Sequence, residues 1–253
     1  MNKCLFKLLL ILSLIIFPFA VQTSSAAPAY LDFSVEGYQP GSIEYSGGTS
    51  PLVGSGISIL KLRAFNADGT ICKNAAGDLL EFNVVGGTLS FVTGLNTGYD
   101  SSSNTWDFST GGKSYIELYG AIPELGIGYD GQNVTPVLLL SGYGSVGGKV
   151  VATPIAGLPF TFNVAILGFF DEKDPTLLEG LGFLADMYGN YPNFVGTMNL
   201  SFASGEITPD GFSATTIYSG DIVNTPSVPI PGAFLLLGSG LIGLVGIRRR
   251  MLS

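Results

Sequence analysis

Alternation of apolar and polar residues is clearest at Ile57-Ser-Ile-Leu-Lys-Leu-Arg-Ala-Phe65, where Ile57, Ile59 and Phe65 share one strand face and Lys61 and Arg63 complicate the pattern. The same reading predicts strands at 30–35, 79–85, 88–93, 113–119, 136–143, 149–153, 160–168, 196–202 and 213–218. Turn signals separate them: Asn66-Ala-Asp68-Gly69, Gly86-Gly87, Asp130-Gly131, Gly147-Gly148 and Pro209-Asp210-Gly211. Many short strands at this spacing predict an all-β body, a single β-sandwich-like domain over residues 27–225. One short helix is expected to interrupt it. Asp174 can cap that helix, Pro175 suits its first turn, and Leu177, Leu178, Leu181, Leu184 and Tyr188 recur near helical spacing before Gly189.

The two ends break the pattern. Residues 1–26 combine Lys3 and Lys7, an apolar run from Leu8 to Ala20, and the small residues Ser24, Ser25 and Ala26. That is the layout of a secretory signal, with cleavage expected between Ala26 and Ala27 by signal peptidase. Cys4 precedes the apolar run, so it is not the lipid-bearing cysteine of a lipoprotein signal. At the other end, residues 226–253 begin with a proline-rich motif over 228–232, continue through an uncharged run over 233–247 and finish on Arg248, Arg249 and Arg250. Counted from Val228, the run is long enough to cross the ~30 Å core of a bilayer as a helix. The arginine triplet acts as a stop-transfer signal and keeps that end cytoplasmic, leaving the body outside the inner membrane.

This tail resembles the PEP-CTERM sorting signal, in the variant that reads Val-Pro-x-Pro-Gly. The resemblance rests on Val228, Pro229, Pro231 and Gly232, on Leu237-Gly238-Ser239-Gly240, and on Arg248 to Arg250. Ile230 stands where the type motif has Glu, which leaves the exosortase subtype open. The resemblance implies cleavage near the motif by exosortase, a membrane-embedded cysteine peptidase, with the product released or attached at the outer surface. The stretch from Thr216 to Thr225, with its Ser-Gly-Asp-x-x-Asn-Thr pattern, is similar to the closing strand of uncharacterised PEP-CTERM surface proteins. It suggests a last strand that pairs into the sheet and passes the tail out through Pro226 to Val228. A plain C-terminal anchor of a periplasmic protein is the alternative reading of the tail.

Composition narrows the chemistry. Charged residues make up 12 % of the chain and glycines number 36, against about 25 % and 7 % in ordinary domains. The body between the two end segments holds 6 Lys and Arg against 19 Asp and Glu, a net charge of −13. Such a surface repels nucleic acid and anionic membranes. There is no histidine, so Ser-His and Cys-His nucleophile pairs and histidine-ligated zinc are excluded. Cys72 is the one cysteine outside the signal and forms no intramolecular disulfide. It reads as a small packed hydrophobe or an unpaired loop thiol.

Two constellations remain as candidates. Asp171-Glu172-Lys173-Asp174 is the densest acidic cluster and a weak calcium candidate, although it lacks EF-hand spacing and reads more simply as a turn and helix cap; Asn66-Ala-Asp68-Gly69 likewise lacks a first ligand at the right offset and reads as a hairpin turn. Trp106, with Asp107, Phe108, Tyr99, Tyr115 and Tyr119, could stack on a sugar, and Glu36, Glu44, Glu81, Glu117, Glu124 and Glu206 offer carboxylates for glycosidase chemistry. The leading expectation is a non-enzymatic surface or extracellular-matrix protein of a Gram-negative bacterium, sorted by exosortase, with extracellular polysaccharide as a candidate partner and no cofactor. The second is a carbohydrate-binding or carbohydrate-active module centred on Trp106.

Overall fold

A computed structural model describes residues 27–153, 160–186, 188–204 and 210–227. Both end segments, with Ala26 and the sorting motif, lie outside the described residues; Ala27 is the first residue described. Eleven strands form one sheet. They are β1 (Tyr30–Val35), β2 (Gln39–Tyr45), β3 (Pro51–Phe65), β4 (Glu81–Asp100), β5 (Thr105–Phe108), β6 (Tyr115–Ala121), β7 (Val137–Tyr143), β8 (Gly148–Thr153), β9 (Phe160–Lys173), β10 (Phe194–Ser204) and β11 (Phe212–Pro226). The one described α-helix is α1 (Pro175–Gly180).

Every pairing is antiparallel, and the pairings close a circuit. β1 and β2 lie end to end and fill one lane between β3 and β11. β3 pairs with β4. β10 joins β11 to β9. Between β4 and β9 the sheet forks: one branch runs through β6 and β7, the other through β5 and β8. The all-β class expected from the sequence is therefore present, in a single sheet that returns on itself.

Strand alternation sorts the side chains by face. One cross-strand row joins Trp106, Val150, Val164, Leu200, Gly220 and Val35 from β5 to β1, and apart from the half-buried Gly220 all of them are buried. The adjacent row joins Asp107, Lys149, Ala165, Asn199, Asp221 and Ser34, mostly polar and, apart from the buried Ser34, at least partly exposed. The sheet thus wraps an apolar interior and turns a polar face outward. A lipid-facing barrel has the reverse arrangement. Among the described residues no helix is long and apolar enough to cross a membrane.

The connecting loops repeat one design. In Asn66–Thr70, Asn74–Asp78 and Asp186–Asn190 the first residue's N–H donates to the fifth residue's carbonyl, and the fourth residue, a glycine, donates back to the first carbonyl. Gly69, Gly77 and Gly189 have φ of 81°, 92° and 83°, the left-handed conformation that follows a type I turn in a hairpin. In the last two loops the side chain of Asn74 or Asp186 also accepts from backbone N–H groups two and four residues on.

Several elements differ from expectation. Gly86-Gly87 is no hairpin turn: β4 runs straight through it, and the pairing register shifts there against both β3 and β6. Gly86 at φ 61° supplies a bulge where a turn was expected. Of the Gly147-Gly148 pair, Gly147 lies in the connection from β7, as expected, and Gly148 is the first residue of β8. Helix α1 stops after 6 residues, well short of Gly189, and Gly182 follows it at φ 85°. Asp174 does cap it, accepting from Leu177 N at 3.0 Å. Two strands, β2 and β5, lacked a sequence signal. β5 carries Trp106 into the core, where the ring is 0 % exposed and lies against Tyr99, Phe162 and Phe212.

Trp106 is the only tryptophan, so its fluorescence reports that burial directly. Native emission is expected to resist acrylamide quenching and to become quenchable only on urea unfolding. Ready quenching of the folded protein would contradict the placement of β5.

Candidate functional site

The fork in the sheet creates the cleft. β8 pairs with residues 161–166 of β9, and β7 pairs only with residues 172–173. Between these stretches Phe170 N donates to Ser145 Oγ at 3.0 Å instead of to a strand. A Cβ on Gly142 would overlap the Phe170 carbonyl, so glycine lets β7 close over this point. The result is a cleft of about 380 Å³ lined by Ser141, Gly142, Tyr143, Phe170, Asp171, Glu172 and Asn193.

Its rim is aromatic. Tyr143 and Phe170 are 64 % and 62 % exposed, which is uncommon for rings of this size on a sheet. Tyr143 Oη donates to Glu117 Oε1 at 2.5 Å, and this hydrogen bond raises the phenol above its ordinary pKa. Glu172 is exposed beside them. Asp171, the next residue along the strand, points to the opposite face. The two carboxylates therefore cannot address one glycosidic bond from this cleft.

Beneath the cleft Asp171 belongs to a buried polar cluster. Its Oδ1 pairs with Lys173 Nζ, and its Oδ2 accepts from Asn224 Nδ2 at 2.7 Å. Lys173 Nζ also lies 4.0 Å from the centroid of the Phe194 ring. Asn224 reaches across β10 because Gly196 stands between them: a Cβ there would lie 2.5 Å from Asn224 Nδ2 and overlap the Phe169 ring. Burial pushes the Asp171 carboxyl upward against the pull of Lys173, and burial lowers Lys173 to about 8.

A third group of charges lies on the outer face of β1, β3, β4 and β11. Lys61 bonds Glu81 at 3.1 Å, and Arg63 pairs with Glu36 and Glu81. Asp32, opposite Arg63 in the ladder, has a buried Oδ1 without a hydrogen-bond partner among the described residues. Desolvation, reinforced by Asp221, raises it to about 6.

The residues singled out in the sequence disperse over these places. Trp106 is enclosed in the core, so no sugar can stack on it, and a site centred on its ring is ruled out. Tyr115, Tyr119 and Glu117 share the outer face of β6, next to the cleft. The calcium candidate does not converge: Asp171 is buried with Lys173 and Asn224, Glu172 faces out, and Asp174 caps α1. Among the described residues no group of three or more acidic, histidine or cysteine side chains is placed to hold a metal. Cys72 is buried, donates to Asn66 Oδ1 at 3.2 Å, and its thiol is shifted upward by burial, away from reactivity. Glu206 lies outside the described residues, as do Val228, Pro229, Pro231, Gly232, Arg248, Arg249 and Arg250.

No family model, curated protein or solved structure matches this chain.

Asp32 gives a pH test with a definite sign. Its folded pKa of about 6 exceeds the ordinary 3.8, so ionising it costs more in the folded state. The stability it permits is complete below pH 3.8 and is lost as pH rises through 6. Asp32→Asn is expected to raise the urea midpoint at pH 7 and to match the parent near pH 3.5. A variant less stable than the parent at pH 7 would sink this assignment.

Proposed function

We propose that this protein is an exported, non-enzymatic surface or matrix-associated protein of a Gram-negative bacterium, delivered by a signal peptide and sorted by exosortase. In this reading the closed sheet is flattened into a sandwich-like body, flanked by the signal peptide and a C-terminal membrane helix. The observation that carries the proposal is the order of three features in the tail: Val228-Pro-Ile-Pro-Gly232, an uncharged run, and Arg248 to Arg250. The path of the chain supports it. β11 ends at Pro226, and Ser227 fastens the exit by donating its N–H and Oγ to Asn193 O at 2.7 and 2.9 Å. The motif begins at the next residue of the sequence, Val228.

Proline fixes φ, lacks a backbone donor and keeps the preceding residue extended, which presents the motif to a peptidase at the membrane edge. Replacing Pro229 and Pro231 with alanine is expected to leave an uncleaved precursor in the inner membrane, while the parent becomes shorter and leaves that fraction. A parent that remains full-length there, in a host with an exosortase, would reduce the tail to a plain anchor.

The cleft favours a second reading of the body, as a carbohydrate-binding module for extracellular polysaccharide. Exposed Tyr143 and Phe170 offer flat faces for the C–H side of a sugar, and Glu172, Ser141 and Asn193 offer hydrogen-bonding groups for its hydroxyls. Asp171 faces inward and makes no contact with a sugar in this reading. In titrations against neutral polysaccharides, Tyr143→Ala and Phe170→Ala should each weaken binding by about 0.5–1.5 kcal/mol, roughly two- to tenfold in Kd. Equal affinity for parent and both variants would remove the cleft from the account.

A further inference from the structure

Lys173, Asp171 and Asn224 all face the interior, and one carboxylate touches both of the others. Asp171 Oδ1 holds the lysine nitrogen, and Asp171 Oδ2 holds the asparagine amide. As a purely structural ion pair the arrangement is poor. An ammonium has three N–H donors, yet Lys173 makes one hydrogen bond, to Asp171, and one ring contact among the described residues. Asn224 is 0 % exposed, and its Oδ1 has no hydrogen-bond partner among them. An amine, an acid–base group and an unpartnered carboxamide carbonyl are thus brought together in a buried place.

We propose that this trio is a self-processing cross-link site, in which the Lys173 amine displaces ammonia from the Asn224 carboxamide and joins β9 to β11 through an amide bond. Asp171 carries the protons. Lys173 gives its proton to Asp171, leaving a neutral amine and a carboxylic acid. Burial makes this transfer inexpensive, because it lowers the lysine and raises the acid. Turning the Asn224 amide over about its last torsion brings Oδ1 to Asp171, whose acid proton then polarises the carbonyl. The free electron pair on Nζ adds to Cγ, and the oxygen takes the proton as charge develops on it.

The new C–N bond sheds its extra proton to Asp171, which passes it to Nδ2. The Cγ–Nδ2 bond breaks, and as the carbonyl re-forms its proton leaves with the nitrogen. The charge that entered as the lysine ammonium departs as ammonium, and Asp171 returns to its carboxylate. Nothing is oxidised or reduced, and no cofactor is consumed. Proximity supplies the driving advantage, since both reactants are fixed on one carboxylate by strands on either side of β10. Gly196 is the opening that lets Asn224 reach the other two. The Phe169 and Phe194 rings, both 0 % exposed, help to keep water from hydrolysing the intermediate.

Mass spectrometry of the full chain, expressed, folded and incubated at neutral pH, tests the proposal. The protein should be lighter by one ammonia than its observed termini require. Trypsin should leave Lys173 uncut, within a branched peptide joined to the one that contains Asn224. K173R retains the charge and length but cannot form the bond, and D171A removes the proton carrier; both should show the full mass. Linear peptides with trypsin cutting freely after Lys173 would overturn the proposal. So would loss of water between Lys173 and Asp171 with Asn224 intact, or loss of ammonia that persists in K173R. Because the reading is made on the parent chain, a variant that fails to fold does not decide the outcome.

Discussion

The closure of the sheet depends on β11 being paired along both edges. On one side it meets β10, and on the other it meets β1 and then β2, which share a single lane. The last strand described therefore lies against the first, and neither edge of β11 is left as a template for another chain. Without that pairing β10 and the lane of β1 and β2 would both have open edges, and the interior row from Trp106 to Val35 would meet water. The break between β1 and β2 allows two short strands to follow one long, twisted partner. Gly220 serves the same closure on the inner face, since a side chain there would collide with Leu200.

A closed sheet leaves few places for polar chemistry inside, which gives weight to the cluster of Lys173, Asp171 and Asn224. Removing two charges from water costs several kcal/mol per ion, and mutual attraction offsets this only with good geometry and full hydrogen bonding. Here the geometry is close but the hydrogen bonding is incomplete. The outer group around Arg63 has the opposite character: its partners remain partly in solvent, and salt screens them. Two charge clusters of similar composition thus differ in consequence because one faces inward. The cleft at the fork is a third outcome of the same topology, arising where β9 changes neighbours.

Much of the strand layout was legible from alternation and turn residues, because a half-buried strand must place apolar groups at every second position. β1 follows that rule directly, whereas in β3 the expected face of Ile57, Ile59 and Phe65 holds only to Ile59: the register shifts there, Leu62 and Ala64 turn inward, and Phe65 lies on the outer face with Arg63. β2 did not, since Gln39-Pro40-Gly41-Ser42 offers no apolar face and is held by its neighbours alone. Trp106 misled for a related reason: β5 has 4 residues, too few for a periodic signal, so the ring looked available. The cluster was half visible. Asp171 and Lys173 stood out as charges, but Asn224 lies far along the chain, and only the pairing of β9, β10 and β11 brings it over Gly196. Nothing local in the sequence distinguishes that asparagine from one at the surface.

The exit of the chain from β11 has a mechanical consequence. In a protein held by its C-terminal tail, any drag on the body is transmitted through the strand that the tail continues. That strand, 15 residues long, is bonded on both sides to antiparallel partners. A pull along its axis therefore loads its hydrogen bonds together, in shear, instead of opening them one after another as at a hairpin tip. Such a geometry resists sudden extension, so under the proposed sorting a load on the tail would fall on a strand bonded along both edges.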